Sequence, residues 1–159
     1  MLCSLNVLAR LPWKYGRYIA LPFLGLNSYH KGNYCLAEKS ARELLVLAKY
    51  YNESDWNYGN AIYFGNLILG LVSFEFNKID EARQYLIHSG NTPGSPQLNS
   101  FGPNMLLAKK LLEKGEQKTV LKFFTLCKKF WELDCNKLNY WKKQVRSGKI
   151  PDFGSNLNY

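Results

Sequence analysis

The sequence predicts an all-α protein: an array of about three antiparallel helix pairs with a capping helix at each end. Three observations carry this. The stretch Asn66–Ser89, NLILGLVSFEFNKIDEARQYLIHS, reads as a helix, a break at Asn77-Lys78 and a second helix, with a small residue in each half, Gly70 and Ala82, where two helices approach closely. The same order recurs on both sides. Measured from Gly25, Gly70 and Ala108, each preceded by Leu, the break residues Gly32, Asn77 and Gly115 lie seven further on, and Ala37, Ala82 and Val120 twelve further on. Finally, 159 residues with 47% hydrophobic and 21% charged content suit one domain that buries roughly 70% of its unfolded surface.

In chain order, residues 1–17 are expected to form an N-terminal cap, a short apolar helix with a turn at Leu11-Pro12-Trp13. The first repeat spans 18–51, with a helix that starts or kinks at Pro22, because an interior proline costs about 3 kcal/mol or more. The second spans 55–89, capped by Ser54 or Asp55. Gly90–Pro103, with three glycines and three prolines in fourteen residues, reads as a loop without helix. Pro103 suits the first turn of the helix that opens the third repeat, 101–132. Asp134 can cap a last amphipathic helix over 134–148, in which Leu138, Trp141 and Val145 share a face. The tail, 149–159, reads as irregular.

The three units resemble the tetratricopeptide repeat, whose Leu-Gly pair on one helix and Ala on the next serve close antiparallel packing over a period of about 34 residues. The spacings here are longer, 45 residues from Gly25 to Gly70 and 38 from Gly70 to Ala108. TPGSPQLNSFGPNM and GKIPDFG are also similar to segments of uncharacterised bacterial proteins built from such repeats. The resemblance implies a protein- or peptide-binding scaffold, with a groove lined by the first helix of each pair. The groove positions are Ile19, Leu26 and Tyr29, then Phe64, Leu67, Leu71 and Phe74, then Met105, Lys109 and Leu112. They are mostly apolar, and the alternative is that they are core. A soluble monomer rarely leaves such a surface open, so the Trp141 helix with the tail bearing Phe153, Leu157 and Tyr159, or a second copy of the chain, is expected to cover part of it.

Two other surfaces stand out. Gln97, Asn99, Phe101 and Asn104 in the Gly90–Pro103 loop form a candidate loop site, since a long loop in a compact domain is functional or packs over a junction. Charge is also uneven. Residues 104–159 carry twelve Lys/Arg against five Asp/Glu, so +7 of the net +9 lies there. A basic face with Lys142, Lys143 and Arg146 would attract nucleic acid or an acidic partner. The bland alternative is a solvated helix surface.

Catalysis has little support. His30 and His88 have no neighbour in a nucleophile or metal-ligand pattern, Asp80-Glu81 suits a helix N-terminus, and the loop lacks the lysine and spacing of a phosphate loop. A non-catalytic protein without cofactor or metal is expected. Cys3, Cys35, Cys127 and Cys135 lack zinc-site spacing and fit reduced thiols of a cytoplasmic protein. No run approaches the ~18 apolar residues of a membrane span.

Overall fold

The computed structural model describes residues 12–158; of the cap expected over residues 1–17, residues 1–11 lie outside them. The described residues are helical, with no strand. Among the described residues eight α-helices follow one another: α1 Pro12–His30, α2 Tyr34–Tyr51, α3 Tyr58–Glu75, α4 Ile79–Gly90, α5 Pro96–Phe101, α6 Leu106–Glu113, α7 Gln117–Cys127 and α8 Lys137–Arg146. A 3-10 turn, Gly154–Leu157, closes the chain. Adjacent helices pack as hairpins, α1 on α2, α3 on α4 and α6 on α7. The hairpins are joined through α2 against α3 and α4 against α7, and α8 packs on α7.

The register seen in the sequence has a conformational cause. Gly32, Asn77 and Gly115 all adopt positive φ (74°, 57° and 83°). Their N–H groups donate to the carbonyls of Tyr29, Phe74 and Leu112, each at 2.9 Å. The N–H of the next residue, Asn33, Lys78 or Glu116, reaches back to Ser28, Ser73 or Leu111 at 2.9, 2.9 and 3.0 Å. This paired closure satisfies the last carbonyls of the helix in the same way at all three turns. The second helix then starts from the carbonyl of Asn33, Lys78 or Glu116, bonded by the N–H of Ala37, Ala82 or Val120. Those three side chains are fully buried.

Helix α8 ends in the same way. Gly148, at φ +78°, donates to Val145, and Lys149 donates to Gln144, both at 3.0 Å. Pro151 follows, and no second helix forms. Phe153 lies five residues past the turn glycine, as Ala37, Ala82 and Val120 do. It is buried, with its ring 4.9 Å from Trp141 and 6.2 Å from Phe124. The tail therefore stands where a partner helix would.

Helix α3 is the centre of the array. It carries no charged residue before Glu75, and residues on all its faces are buried against α1, α2, α4, α5 and α6. Gly70 permits the closest approach. A Cβ there would lie 2.3 Å from Leu107 Cδ2 and 3.0 Å from Tyr85 Cβ, and 3.5 Å from the Ala82 carbonyl. Polar contacts tie the same hairpins at their turn ends. Tyr29 Oη donates to Glu75 Oε1 at 2.6 Å, and Lys110 Nζ donates to the same oxygen at 3.0 Å. The Tyr29 hydrogen bond, with Lys110 beside it, outweighs burial and holds the Glu75 carboxyl below its usual range. Burial, with Glu75 as acceptor, pushes the Tyr29 hydroxyl up.

Several boundaries differ from those expected. Helix α1 runs from Pro12 through Pro22, so a turn through Pro12-Trp13, a cap that ends at residue 17 and a helix start at Pro22 are corrected, while Leu11 lies outside the described residues. Proline's missing N–H deprives only the Tyr18 carbonyl of a helical partner, and packing on α2 and α3 offsets that loss. Helix α3 begins after Asn57, and Asp55 Oδ1 instead accepts the Asn57 N–H at 2.9 Å. The Gly90–Pro103 stretch does hold a helix, α5. Ser95 Oγ caps it by accepting the Leu98 N–H at 3.1 Å, with Pro96 in the first turn. Pro103 precedes α6 without joining it, and the Met105 N–H at the helix cap donates to the Asn156 carbonyl at 2.6 Å. Asp134 also sits before its helix: α8 begins at Lys137, and the Asp134 carboxylate accepts from Lys128 Nζ at 2.9 Å. The tail is ordered by Asn156, whose Nδ2 donates to the carbonyls of Pro103 (3.1 Å) and Phe101 (3.2 Å).

Two stability outcomes follow. Gly70→Leu overpacks the α3–α4–α6 contact and should cost about 1–3 kcal/mol, read as a lowered denaturation midpoint. Unchanged melting would contradict the close approach. Phe153→Ala should cost about 3–5 kcal/mol and raise hydrophobic dye binding while the helical circular dichroism signal persists at low temperature. A neutral effect would show that the tail does not seal the last unit.

Candidate functional site

A cleft of about 600 Å³ opens between α1 and α5, with the start of α3 as its floor. Helix α1 contributes Ile19, Pro22, Phe23, Leu26, Asn27 and His30, which recur at three- and four-residue intervals and so share one face. Asn57, Asn60 and Phe64 come from the cap and first turns of α3, and Trp56 precedes them. Gln97, Leu98 and Phe101 lie on α5, followed by Gly102 and Asn104, while Asn158 reaches the cleft from the tail. None of these residues is Asp, Glu, Lys or Arg. Three aromatic side chains on its lining remain open to solvent: Phe23 at 77%, Phe101 at 67% and Trp56 at 49% exposure.

The α5 wall is held by backbone contact. Gly59 at the start of α3 lies so close to Gly94 that a Cβ would sit 1.6 Å from the Gly94 carbonyl oxygen. Thr92 Oγ1 donates to the Gly59 carbonyl at 2.7 Å. Further along, the Trp131 ring lies against Gly102, which adopts φ +83°. Tyr63 Oη donates to the Asn104 carbonyl at 2.6 Å, and Asn104 Oδ1 accepts the Leu106 N–H at 2.9 Å. The insertion that looked like a loop is thus a fixed wall. Its polar residues form a chain: Ser95 Oγ donates to Asn60 Oδ1 (2.6 Å), and Asn60 Nδ2 donates to Asn57 Oδ1 (2.9 Å) and Gln97 Oε1 (3.0 Å).

The groove and loop expected separately therefore meet in one place. Ile19, Leu26 and Phe64 from the groove set and Gln97, Phe101 and Asn104 from the loop set line the same cleft. The rest do not. Leu67, Leu71 and Met105 are fully buried and belong to the core, the first two because α3 is enclosed on every side. Tyr29 is nearly buried, and its hydroxyl is spent on Glu75. Phe74 lies under Lys110, whose Nζ is 5.3 Å from the ring centroid. Lys109 faces Glu113 at 3.9 Å, one turn on along α6, and Leu112 is core. Asn99 turns away from the cleft, within reach of Ser95, Phe130 and Glu132.

Pro22, Phe23, Asn27, His30, Trp56 and Asn158 are among the lining residues that the sequence reading did not place in a site. The α1 residues could have been found by following the Ile19–Leu26 face one turn at a time. Trp56 and Asn158 reach the cleft through the turn before α3 and the docked tail, which have no helical period to follow.

Lys142, Lys143 and Arg146 lie on α8, Lys142 half-buried and the other two exposed, and none forms an ion pair among the described residues. Lys118 and Lys122 stand on α7 four residues apart, with Lys129 just past its end, and all three are likewise without an ion pair among the described residues. Arg83, His88, Lys118 and Lys122 line a second depression of about 400 Å³ between α4 and α7. Arg83 is neutralised there by Glu116, with Nη1 to Oε2 at 3.1 Å. Of the cysteines, Cys35 and Cys135 are exposed free thiols, and burial pushes the Cys127 thiol well up. No three His, Cys, Asp or Glu residues cluster among the described residues, and no helix there is long and apolar enough to cross a membrane.

Compared with protein-family models, with curated proteins and with solved structures, the chain matches none.

Proposed function

We propose that the chain is a non-catalytic helical-repeat scaffold of tetratricopeptide type that binds a segment of another protein in the cleft between α1 and α5. The observation that carries this reading is the uncharged cleft of about 600 Å³ with Phe23, Trp56 and Phe101 open to solvent on its lining. Exposed aromatics gathered around a concavity are what protein interfaces use as anchors, and a monomer gains nothing by leaving them in water. The register of the three hairpins supports the repeat assignment, and the free thiols support a cytoplasmic location. A photo-crosslinking residue placed at Phe23 and, separately, at Phe101 should capture the same protein in cell extract, and one at exposed Val46 on α2 should not. Identical patterns from all three positions would overturn the reading.

The unpaired cations of α7 and α8 favour a second reading, in which this face attracts nucleic acid or an acidic partner. On duplex DNA, log affinity should then fall with log salt at a slope of about −0.9 per phosphate neutralised, and changing Lys142, Lys143 and Arg146 together to Ala should flatten the slope. No binding at low salt to either nucleic acid or an acidic peptide would leave a solvated surface.

A further inference from the structure

We propose that the partner segment bound in the cleft is proline-rich and lies in the polyproline II conformation, with Gln97 Nε2 and Asn57 Nδ2 donating to its backbone carbonyls. The proposal rests on the cleft reading above and adds the chemistry of the bound segment. Its basis is an imbalance among the carboxamides of the floor and the α5 wall. Ser95 sets their direction, because its hydroxyl oxygen accepts the Leu98 N–H and its own hydrogen goes to Asn60 Oδ1. Asn60 Nδ2 then donates to Asn57 Oδ1 and to Gln97 Oε1, which saturates Asn60 and engages both of those oxygens. The nitrogens at the two ends of the network are left over. Asn57 is only 4% exposed, yet its Nδ2 has no partner. Gln97 is exposed, and its Nε2 makes no hydrogen bond among the described residues.

Free donors set into an apolar surface select an occupant that brings acceptors without a matching set of donors. An α-helix bonds its carbonyls internally and leaves both nitrogens unmet. An ordinary extended segment offers carbonyls, but each comes with an N–H that finds the oxygens of Asn57, Asn60 and Gln97 already engaged. Proline carries a carbonyl and no N–H, and polyproline II makes no internal hydrogen bonds, so its carbonyls stay available. Asn27, His30 and Asn158 carry both donors and acceptors and can serve the N–H groups of residues between prolines. The apolar surface fits the same occupant, since Phe23, Trp56 and Phe101 give exposed rings of the kind on which proline-rich segments dock. Along α1 the cleft runs from Ile19 to His30, which at 1.5 Å per residue is about 17 Å. At 3.1 Å per residue this holds about five residues of polyproline II, enough for one Pro-x-x-Pro unit. Charge complementarity makes that unit uncharged, because no Lys, Arg, Asp or Glu lines the cleft.

The test uses the full chain and three sets of uncharged synthetic peptides, with binding read by fluorescence anisotropy. The first set carries Pro-x-x-Pro with x varied among Ala, Leu, Val and Pro. The second replaces every Pro by Ala in a helix-forming host, and the third alternates Val and Thr without Pro. The proline set is expected to bind, with affinity reduced about tenfold or more by Phe23→Glu and by Phe101→Glu, the loss expected when a buried aromatic contact is removed. Gln97→Glu should reduce it about tenfold as well, because it keeps an oxygen for the Asn60 donor and replaces the free N–H group by an acceptor. All three side chains are exposed, so the variants should retain the fold, checked by circular dichroism. Undiminished binding of the proline set to Gln97→Glu would overturn the proposal. Tighter binding of the second or third set, lost in Phe23→Glu, would overturn the proline-rich occupant and leave the cleft reading standing. No cleft-dependent binder from any set would overturn both. Self-association abolished by Phe23→Glu would show that a second copy of the chain is the occupant and overturn a proline-rich partner.

Discussion

The array depends on one backbone event repeated along the chain, the left-handed residue that stops a helix and sets the start of the next. At Gly32, Asn77 and Gly115 the same two hydrogen bonds close the helix end, and the helix that follows is nucleated from the next residue's carbonyl. Because the turn geometry repeats, the first buried contact of each second helix falls at the same distance beyond it, at Ala37, Ala82 and Val120. Side chains this small or compact let the paired axes approach. Asn77 shows that the constraint is the left-handed conformation itself, which asparagine tolerates better than most residues with a Cβ.

The same event at Gly148, with no helix after it, explains the end of the array. An αα stack exposes the apolar side of its last unit, and a chain that stopped at α8 would leave Trp141 and Phe124 uncovered. Phe153 fills that position, and Asn156 fastens the tail to the carbonyls of Phe101 and Pro103 and to the Met105 N–H. These contacts also brace the α5 segment. The device that seals the last unit thereby helps to hold one wall of the cleft, and Asn158 brings the tail to its edge.

The cleft exists because of the insertion between the second and third hairpins. In a plain array, α6 would follow α4 directly and the inner face of α3 would be lined by neighbouring first helices alone. Here Ser95 and Pro96 start a six-residue helix, and Thr92, Gly94 and Gly102 press it onto Gly59 and Trp131. The result faces α1 across the start of α3 and leaves aromatic rings on both sides of a concavity. Asn60 bonds wholly within the walls, whereas Asn57 Nδ2 beside it has no partner, so the cleft offers a ligand apolar surface with polar groups set into it.

The sequence alone determined the helical class, the three hairpin turns and the small residues beside them, because these follow from local backbone chemistry at fixed offsets. Gly32, Asn77 and Gly115 were legible as breaks, and Gly70 as a point of close approach, without any knowledge of neighbours. Part of the cleft was legible too, in Ile19, Leu26 and Phe64 and in Gln97, Phe101 and Asn104, but as a groove and a separate loop site near it. Only the tertiary structure decided that these two sets share one cleft, that Leu67, Leu71 and Met105 are core and that α1 continues through Pro22. The physical reason is that helical spacing specifies which side chains share a face, whereas burial depends on what stands opposite. That is decided by the Gly59–Gly94 contact, the docking of Trp131 on Gly102 and the Asn156 latch, none of which joins residues near one another in the chain.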